Sequence, residues 1–164
     1  MSEHTPTPDD ADDLIDVVIP RENAVFWMDD NGRWHNCHGR FEHKRIIDYF
    51  NHAIRHDAMG YFVTQIRGDM REKVYFPHGE TPLFVVRVVE GDPLWLTLNT
   101  GRELSLDPAD LYVRNDRLYL RMGDEIARFN DRALLAMMPY LDENEAGMVF
   151  HVDEGSVAIP EEEP

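Results

Sequence analysis

The sequence predicts an α+β fold, mainly antiparallel β. A small N-terminal αβ unit packs against a larger β-rich unit with a C-terminal helix. Three observations carry this. Short stretches dense in Val, Ile, Leu and aromatic residues recur between residues 25 and 128, punctuated by Asn, Asp and Gly, as in a series of hairpins. Helical spacing replaces that alternation only twice, over residues 43–56 and from Asp131 to about Met138. A chain of 164 residues is long enough for one domain, or two small ones, with a real core.

Residues 1–20 are polar, acidic and Pro-containing, and read as a largely disordered tail in which only residues 14–19 are apolar. The N-terminal unit spans 21–80. Residues 25–28 read as a strand, Asp30-Asn31-Gly32 as a tight left-handed turn, and 33–37 as the returning strand, broken at His38-Gly39. Over 43–56, Ile46, Ile47, Phe50, Ala53 and Ile54 fall on one side of a helix. Lys44, Asp48, Asn51, His52 and Arg55 fall on the other. Gly60 supplies an exit. Residues 61–66 and 73–76 then read as strands joined by a polar loop over 67–72.

The β-rich unit spans 81–153. Residues 83–89 form a nearly continuous apolar run, as expected of a central strand covered on both faces. Residues 94–98 and 103–106 pair across Asn99-Thr100-Gly101, and 112–114 with 117–122 across Asn115-Asp116. Gly123-Asp124 turns into a short strand through Ile126-Ala127-Arg128. Asn130 is placed to cap the second helix, with Phe129 and Leu134 as a hydrophobic staple and Pro139 disturbing its end. Residues 154–164 read as a second acidic tail.

The net charge of -16 belongs to the ends. Residues 1–20 hold six acids and residues 133–164 eight, neither with a Lys or Arg, leaving eighteen acids against all sixteen bases between Arg21 and Arg132. No basic stripe runs through that near-neutral body, which argues against nucleic acid as a partner. Fourteen of its bases are Arg, whose planar fork suits carboxylate and phosphate. Most are expected to alternate on the wet faces of strands. Cys37 is alone, so no intrachain disulfide forms, and no segment has a membrane span's length or a leader's composition. The chain reads as cytoplasmic.

Catalytic motifs are missing. No GxSxG elbow occurs and the serines are Ser2, Ser105 and Ser156; no GxGxxG or GxxxxGK[ST] phosphate loop is present either. His35, Cys37, His38 and His43 are metal-ligand types close in sequence, without zinc-site spacing. Asp48, His52 and His56 lie four apart, as ligands on one helical face would, and give a weaker metal-dependent hydrolase alternative. A site for a nucleotide-like anion has to come from Arg forks, aromatic faces and strand edges. Its candidates are Trp34, Arg40, Tyr61, Arg67, Arg71 and Lys73.

Residues of about 25 to 141 also resemble a bacterial family of domains of unknown function, the one numbered twelve eighty-five. The resemblance rests on Gly32-Arg33-Trp34, Gly39, Ile46-Ile47, Phe50, Asp57, Gly60-Tyr61, Thr64, Pro82 and Phe84, then Asn99 with Gly101, Tyr112-Val113-Arg114 and residues 118–121. The sequence departs from that pattern at Gln65, Arg67, Glu80-Thr81 and Arg102. The resemblance implies a two-domain α+β fold with an interdomain cleft suited to a nucleotide-like ligand, and a role in signal transduction. It supplies no catalytic residue.

The resulting expectation is a non-catalytic ligand-binding or regulatory module without a cofactor or resident metal. Arg40 and Arg67 would pair with a small anionic ligand, and Tyr61 or Trp34 would stack on a planar base. The alternative is a protein–protein adaptor whose acidic ends meet a basic partner.

Overall fold

The computed structural model describes residues 13–163, which divide into two units: residues 13–28 with Arg33–Pro77, and Asp29–Gly32 with residues 78–163. The part of the N-terminal tail expected over residues 1–12 lies outside the described residues.

In the first unit a four-stranded sheet has the order β1 (Ile15–Ile19), β7 (Met70–Tyr75), β6 (Gly60–Arg67), β5 (Ile54–Asp57). Strand β1 runs parallel to β7 and the other pairs are antiparallel. The tail expected through residue 20 therefore gives way to a strand where the sequence turns apolar. Beside this sheet lie a small antiparallel one, β2 (Phe26–Met28), β3 (Trp34–Asn36) and β4 (Gly39–Arg40), and the helix α1 (Lys44–Ala53). Phe26, Trp34, Phe50 and Phe76 meet in a ring cluster with centroids 4.8–6.3 Å apart, the packing expected of aromatic cores.

Two local expectations change here. The helix expected over 43–56 ends at Ala53, because Ile54 turns extended (φ -61°, ψ 129°) and residues 54–57 pair with 60–63 instead. The polar loop expected over 67–72 is mostly strand: β6 and β7 continue to Arg67 and Met70, leaving Gly68 (φ 63°) and Asp69 as a tight hairpin turn.

The second unit is built on a six-stranded sheet. Strands β8 (Phe84–Val89), β9 (Trp95–Leu98) and β10 (Glu103–Ser105) form one antiparallel meander, and β11 (Leu111–Arg114), β12 (Arg117–Met122) and β13 (Glu125–Phe129) another. The meanders join where β8 lies parallel to β13, giving the order β10-β9-β8-β13-β12-β11. Strand β8 is buried at Phe84 and Val85 but exposed at Arg87 and Val89, beyond a register shift, so only its first half is the covered strand expected. Asn115 and Asp116 both adopt left-handed φ (51° and 61°), the two-residue turn their side-chain chemistry predicts. Helix α2 (Asp131–Met137) packs on β8 and β13 and begins as expected, with Asn130 Oδ1 accepting from the Ala133 amide at 2.8 Å.

Strands β14 (Leu141–Asn144), β15 (Gly147–Val152) and β16 (Gly155–Ala158) follow as a third antiparallel sheet. The acidic tail expected over 154–164 is thus structured through β16, and Ile159 beyond it is buried.

Several family-pattern residues have structural work in this unit. Asn99 fastens the start of β8 three ways: its Oδ1 accepts from the Phe84 amide (3.0 Å), its Nδ2 donates to the Pro82 carbonyl (3.0 Å), and its own amide donates to the Phe84 carbonyl (2.8 Å). Gly32 has φ 79°, and a Cβ there would lie 2.8 Å from the Phe84 ring. At one of the departures from that pattern, buried Thr81 also ties the unit together, donating to the Ile126 carbonyl at 2.7 Å and accepting from the Leu83 amide at 3.1 Å. Among the described residues no helix is long and apolar enough to cross a membrane.

Candidate functional site

Cross-strand partners in a sheet share a face, and that rule gathers arginines on β11, β12 and β13. Tyr112 opposes Tyr119, Arg114 opposes Arg117, and Tyr119 opposes Arg128, with Arg121 two residues beyond Tyr119. One sheet face therefore carries four guanidinium groups around two tyrosines. The opposite parity places Leu111, Val113, Leu118, Leu120, Ala127 and Phe129 on the apolar face.

Rings and carboxylates offset part of that positive charge. The two tyrosine rings stack at 5.2 Å, and the Arg121 guanidinium lies 4.3 Å from the Tyr112 ring centroid. Arg114 Nη1 donates to Glu80 at 2.6 Å, and the Tyr119 hydroxyl also bonds Glu80. Burial pushes the Glu80 carboxyl up, but the hydrogen bonds from Tyr119 and Arg114 and the charges of Arg114 and Arg117 outweigh it. Its pKa is held below the ordinary carboxylate value. Burial raises the hydroxyl pKa of both Tyr112 and Tyr119, so both remain protonated donors at neutral pH.

A cavity of about 250 Å³ opens beside these groups. Arg117, Tyr119 and Arg128 line it from the sheet, Glu80, Thr81 and Phe84 from the entry to β8, Asn115 from the hairpin turn and Asp30 from the segment 29–32. Arg128 Nη1 donates to the Asp30 carbonyl at 2.8 Å, and its guanidinium lies 5.7 Å from the Phe84 ring centroid. Its Nε is buried and has no acceptor among the described residues; Arg114 Nε is in the same condition. An unmet buried donor costs about 1–3 kcal/mol, and a charged one favours an acceptor most strongly. The lining contains no Ser, Cys, His or Lys; of its two carboxylates, Glu80 accepts from Arg114 and Asp30 is the other, set against the guanidinium groups of Arg117 and Arg128. Two guanidinium groups and the Tyr119 hydroxyl give such a site donors for an anion.

None of the six residues singled out from the sequence lines this cavity; all lie in the first unit. Trp34 is 1 % exposed, surrounded by the ring cluster, and donates its indole N–H to Asn51 at 2.7 Å, so its faces belong to the core. Arg40 ends β4, exposed, across from His35. Tyr61 stacks on His56 at 4.3 Å. The pleat separates the remaining three: Arg71 and Lys73 share a face of β7, whereas Arg67 joins Glu72 and Gln65 on the other. Each has an acid of its own. Arg67 reaches buried Glu72 at 3.5 Å, Arg71 donates to Asp16 at 2.8 Å, and Lys73 pairs closely with Asp57. The weaker metal set is also dispersed, since His56 lies on β5 beyond the helix and Asp48 is paired with Lys44 at 2.8 Å.

The arginine face had a sequence signal. Tyr112/Arg114 and Arg117/Tyr119/Arg121 alternate with period two around a recognisable turn, and Arg128 sits on the next strand. Their convergence becomes visible only once these strands are known to be neighbours.

No family model matches the sequence, and no curated protein matches it. Two solved structures do. A DUF1285 family protein from Silicibacter pomeroyi aligns with a TM-score of 0.60 at 10 % identity, covering 96 % of this chain and 89 % of that one. A DUF1285 family protein from Shewanella baltica aligns with a TM-score of 0.50 at 15 % identity, covering 70 % of this chain and 91 % of that one. These structural neighbours belong to the family that the short sequence motifs resemble, and this chain shares their fold.

Proposed function

We propose that this chain is a non-catalytic, regulatory binding module whose ligand is a small anionic molecule bearing a phosphate or carboxylate. The ligand sits in the second unit's cavity against Arg117 and Arg128. The observation carrying this reading is the buried Arg128 Nε, which has no acceptor among the described residues while the same guanidinium is held in place by the Asp30 carbonyl. A fixed fork with one donor unspent favours an oxyanion, and exposed Arg117 on the same lining supplies a second positive charge.

Size narrows the ligand. Pockets that enclose a whole drug-sized molecule run to about 300–1,000 Å³. At about 250 Å³ this cavity suits one phosphate or small carboxylate, or the anionic end of a nucleotide-like molecule whose remainder stays outside. A signalling role is in keeping with a site that recognises a small anion.

Thermal unfolding in the presence of phosphate, pyrophosphate, nucleoside monophosphates and small di- and tricarboxylates tests the reading. A bound anion at a hundredfold its Kd stabilises the chain by about 2.7 kcal/mol. The stabilisation should vanish in Arg117→Ala and Arg128→Ala. Equal stabilisation of wild type and both variants, or none by any of these anions, contradicts it.

A further inference from the structure

Beyond β16, residues 159–163 stay against the protein. Buried Ile159 donates its amide to the Met148 carbonyl at 2.9 Å, anchoring the segment to β15. The next residues then lie along β11. The Val113 amide donates to the Pro160 carbonyl at 2.9 Å and the Glu162 amide to the Val113 carbonyl at 2.7 Å, so Val113 stands opposite Glu161 in parallel pairing. Strand β11 terminates the six-stranded sheet, and its outer backbone groups are what an added strand would use. Glu162 lies 3.8 Å from Arg114 Nη2 and closer still to Arg121.

This short segment has an unusual composition for something docked on a sheet edge. Glu161, Glu162 and Glu163 offer no apolar side chain to bury, and Glu161 and Glu163 are exposed. Two backbone hydrogen bonds and one carboxylate shared by two guanidinium groups hold it, and both kinds of contact are general rather than particular to this chain. Backbone pairing gives attachment to any extended peptide, and alternate side chains give selectivity. Here the selective position is the one facing Arg114 and Arg121, and it calls for an acid.

We propose that the β11 edge, with Arg114 and Arg121, is a docking site for an extended acidic segment of a partner protein. That segment adds as a parallel strand. Residues 160–163 occupy the site in cis and are exchanged when the partner binds. The sheet edge, Arg114 and Arg121 do not line the cavity, so the proposal rests on observations other than those that carry the anion site, although Arg114 also bonds the lining residue Glu80.

The test uses the full-length chain, with amide exchange and a labelled peptide carrying the sequence of residues 157–164. In the wild type the amides of Val113 and Glu162 exchange slowly. Glu162→Lys sets a cation against Arg114 and Arg121, so both positions should exchange fast and the added peptide should bind about tenfold more tightly than to wild type. Adding Arg121→Ala should remove most of that gain, and a peptide with glutamine for its three glutamates should not bind. Should Glu162→Lys unfold the chain, Glu162→Gln gives the same comparison with the charge merely removed. Fast exchange at Val113 in the wild type overturns the proposal, as does equal peptide affinity for wild type and the released variant. Undiminished binding of the glutamine peptide overturns it too.

Discussion

Arg128 donates Nη1 to the main-chain carbonyl of Asp30 at 2.8 Å while its buried Nε meets no acceptor among the described residues. One bond holds the guanidinium in place, and the buried Nε–H is left without a partner among the described residues. If that donor serves a ligand, folding should gain little from Arg128. Arg128→Met removes one charge-assisted hydrogen bond and one unmet donor, each of about 1–3 kcal/mol and opposite in sign, so stability in urea should change by less than about 2 kcal/mol. Phosphate affinity, measured by calorimetry on the same variant, should fall about tenfold or more.

Arg67 behaves in the opposite way. Its partner Glu72 is a buried carboxylate that also accepts from Gln65 Nε2 at 3.1 Å. Arg67→Ala leaves that carboxylate with Gln65 alone and should destabilise the chain by about 1–3 kcal/mol in denaturant unfolding. Adding Glu72→Gln, which removes the buried charge, should recover much of the loss. An Arg67→Ala variant as stable as wild type would show that the pair contributes nothing.

The Asp57–Lys73–Tyr75 cluster makes stability depend on acid. Hydrogen bonds from Lys73 and Tyr75 lower the Asp57 pKa from 3.8 to about 2, with smaller help from the Met59 amide and the Lys73 charge against a desolvation effect of opposite sign. A lowered carboxylate pKa stabilises the fold above the unfolded-state value, and that contribution is lost as pH falls through the folded-state value. Stability of the wild type should therefore drop between about pH 4 and pH 2. Lys73→Met should flatten this drop, as read by urea midpoints across that range.

Ile159 anchors the last hairpin. Truncating a buried isoleucine to alanine typically costs about 2–5 kcal/mol, so Ile159→Ala should lower the thermal midpoint clearly. Deleting residues 155–164, which also removes β16, should cost at least as much. A negligible change would mean that this acidic stretch is a solvated tail after all.

That stretch shows where sequence reasoning reached its limit. Charge density marks 154–164 as solvated, yet Val157 pairs with Phe150, Ile159 is buried and Glu162 finds two arginines from other strands. Composition does not register partners so distant in sequence. Local chemistry fared better: the Asn115-Asp116 turn, the Asn130 cap and the antiparallel meanders all follow from residues within a few positions of one another. The helix was read too long because Ile54 continues the apolar spacing of Phe50 and Ala53, while the strand it joins depends on pairing across Gly60. The candidate site was missed for the same reason. Alternating arginines on single strands look like wet-face charge, and only the order β13-β12-β11 brings Arg114, Arg117, Arg121 and Arg128 onto one face.

The most direct test of an anion site at Arg128 is its own Nε–H resonance. In proton–nitrogen spectra of the full-length chain titrated with inorganic phosphate, that signal should shift saturably, with Arg117 following. The exposed Arg45 of α1 should drift only with ionic strength. An Arg128 Nε–H signal that moves no more than that of Arg45 would contradict the account.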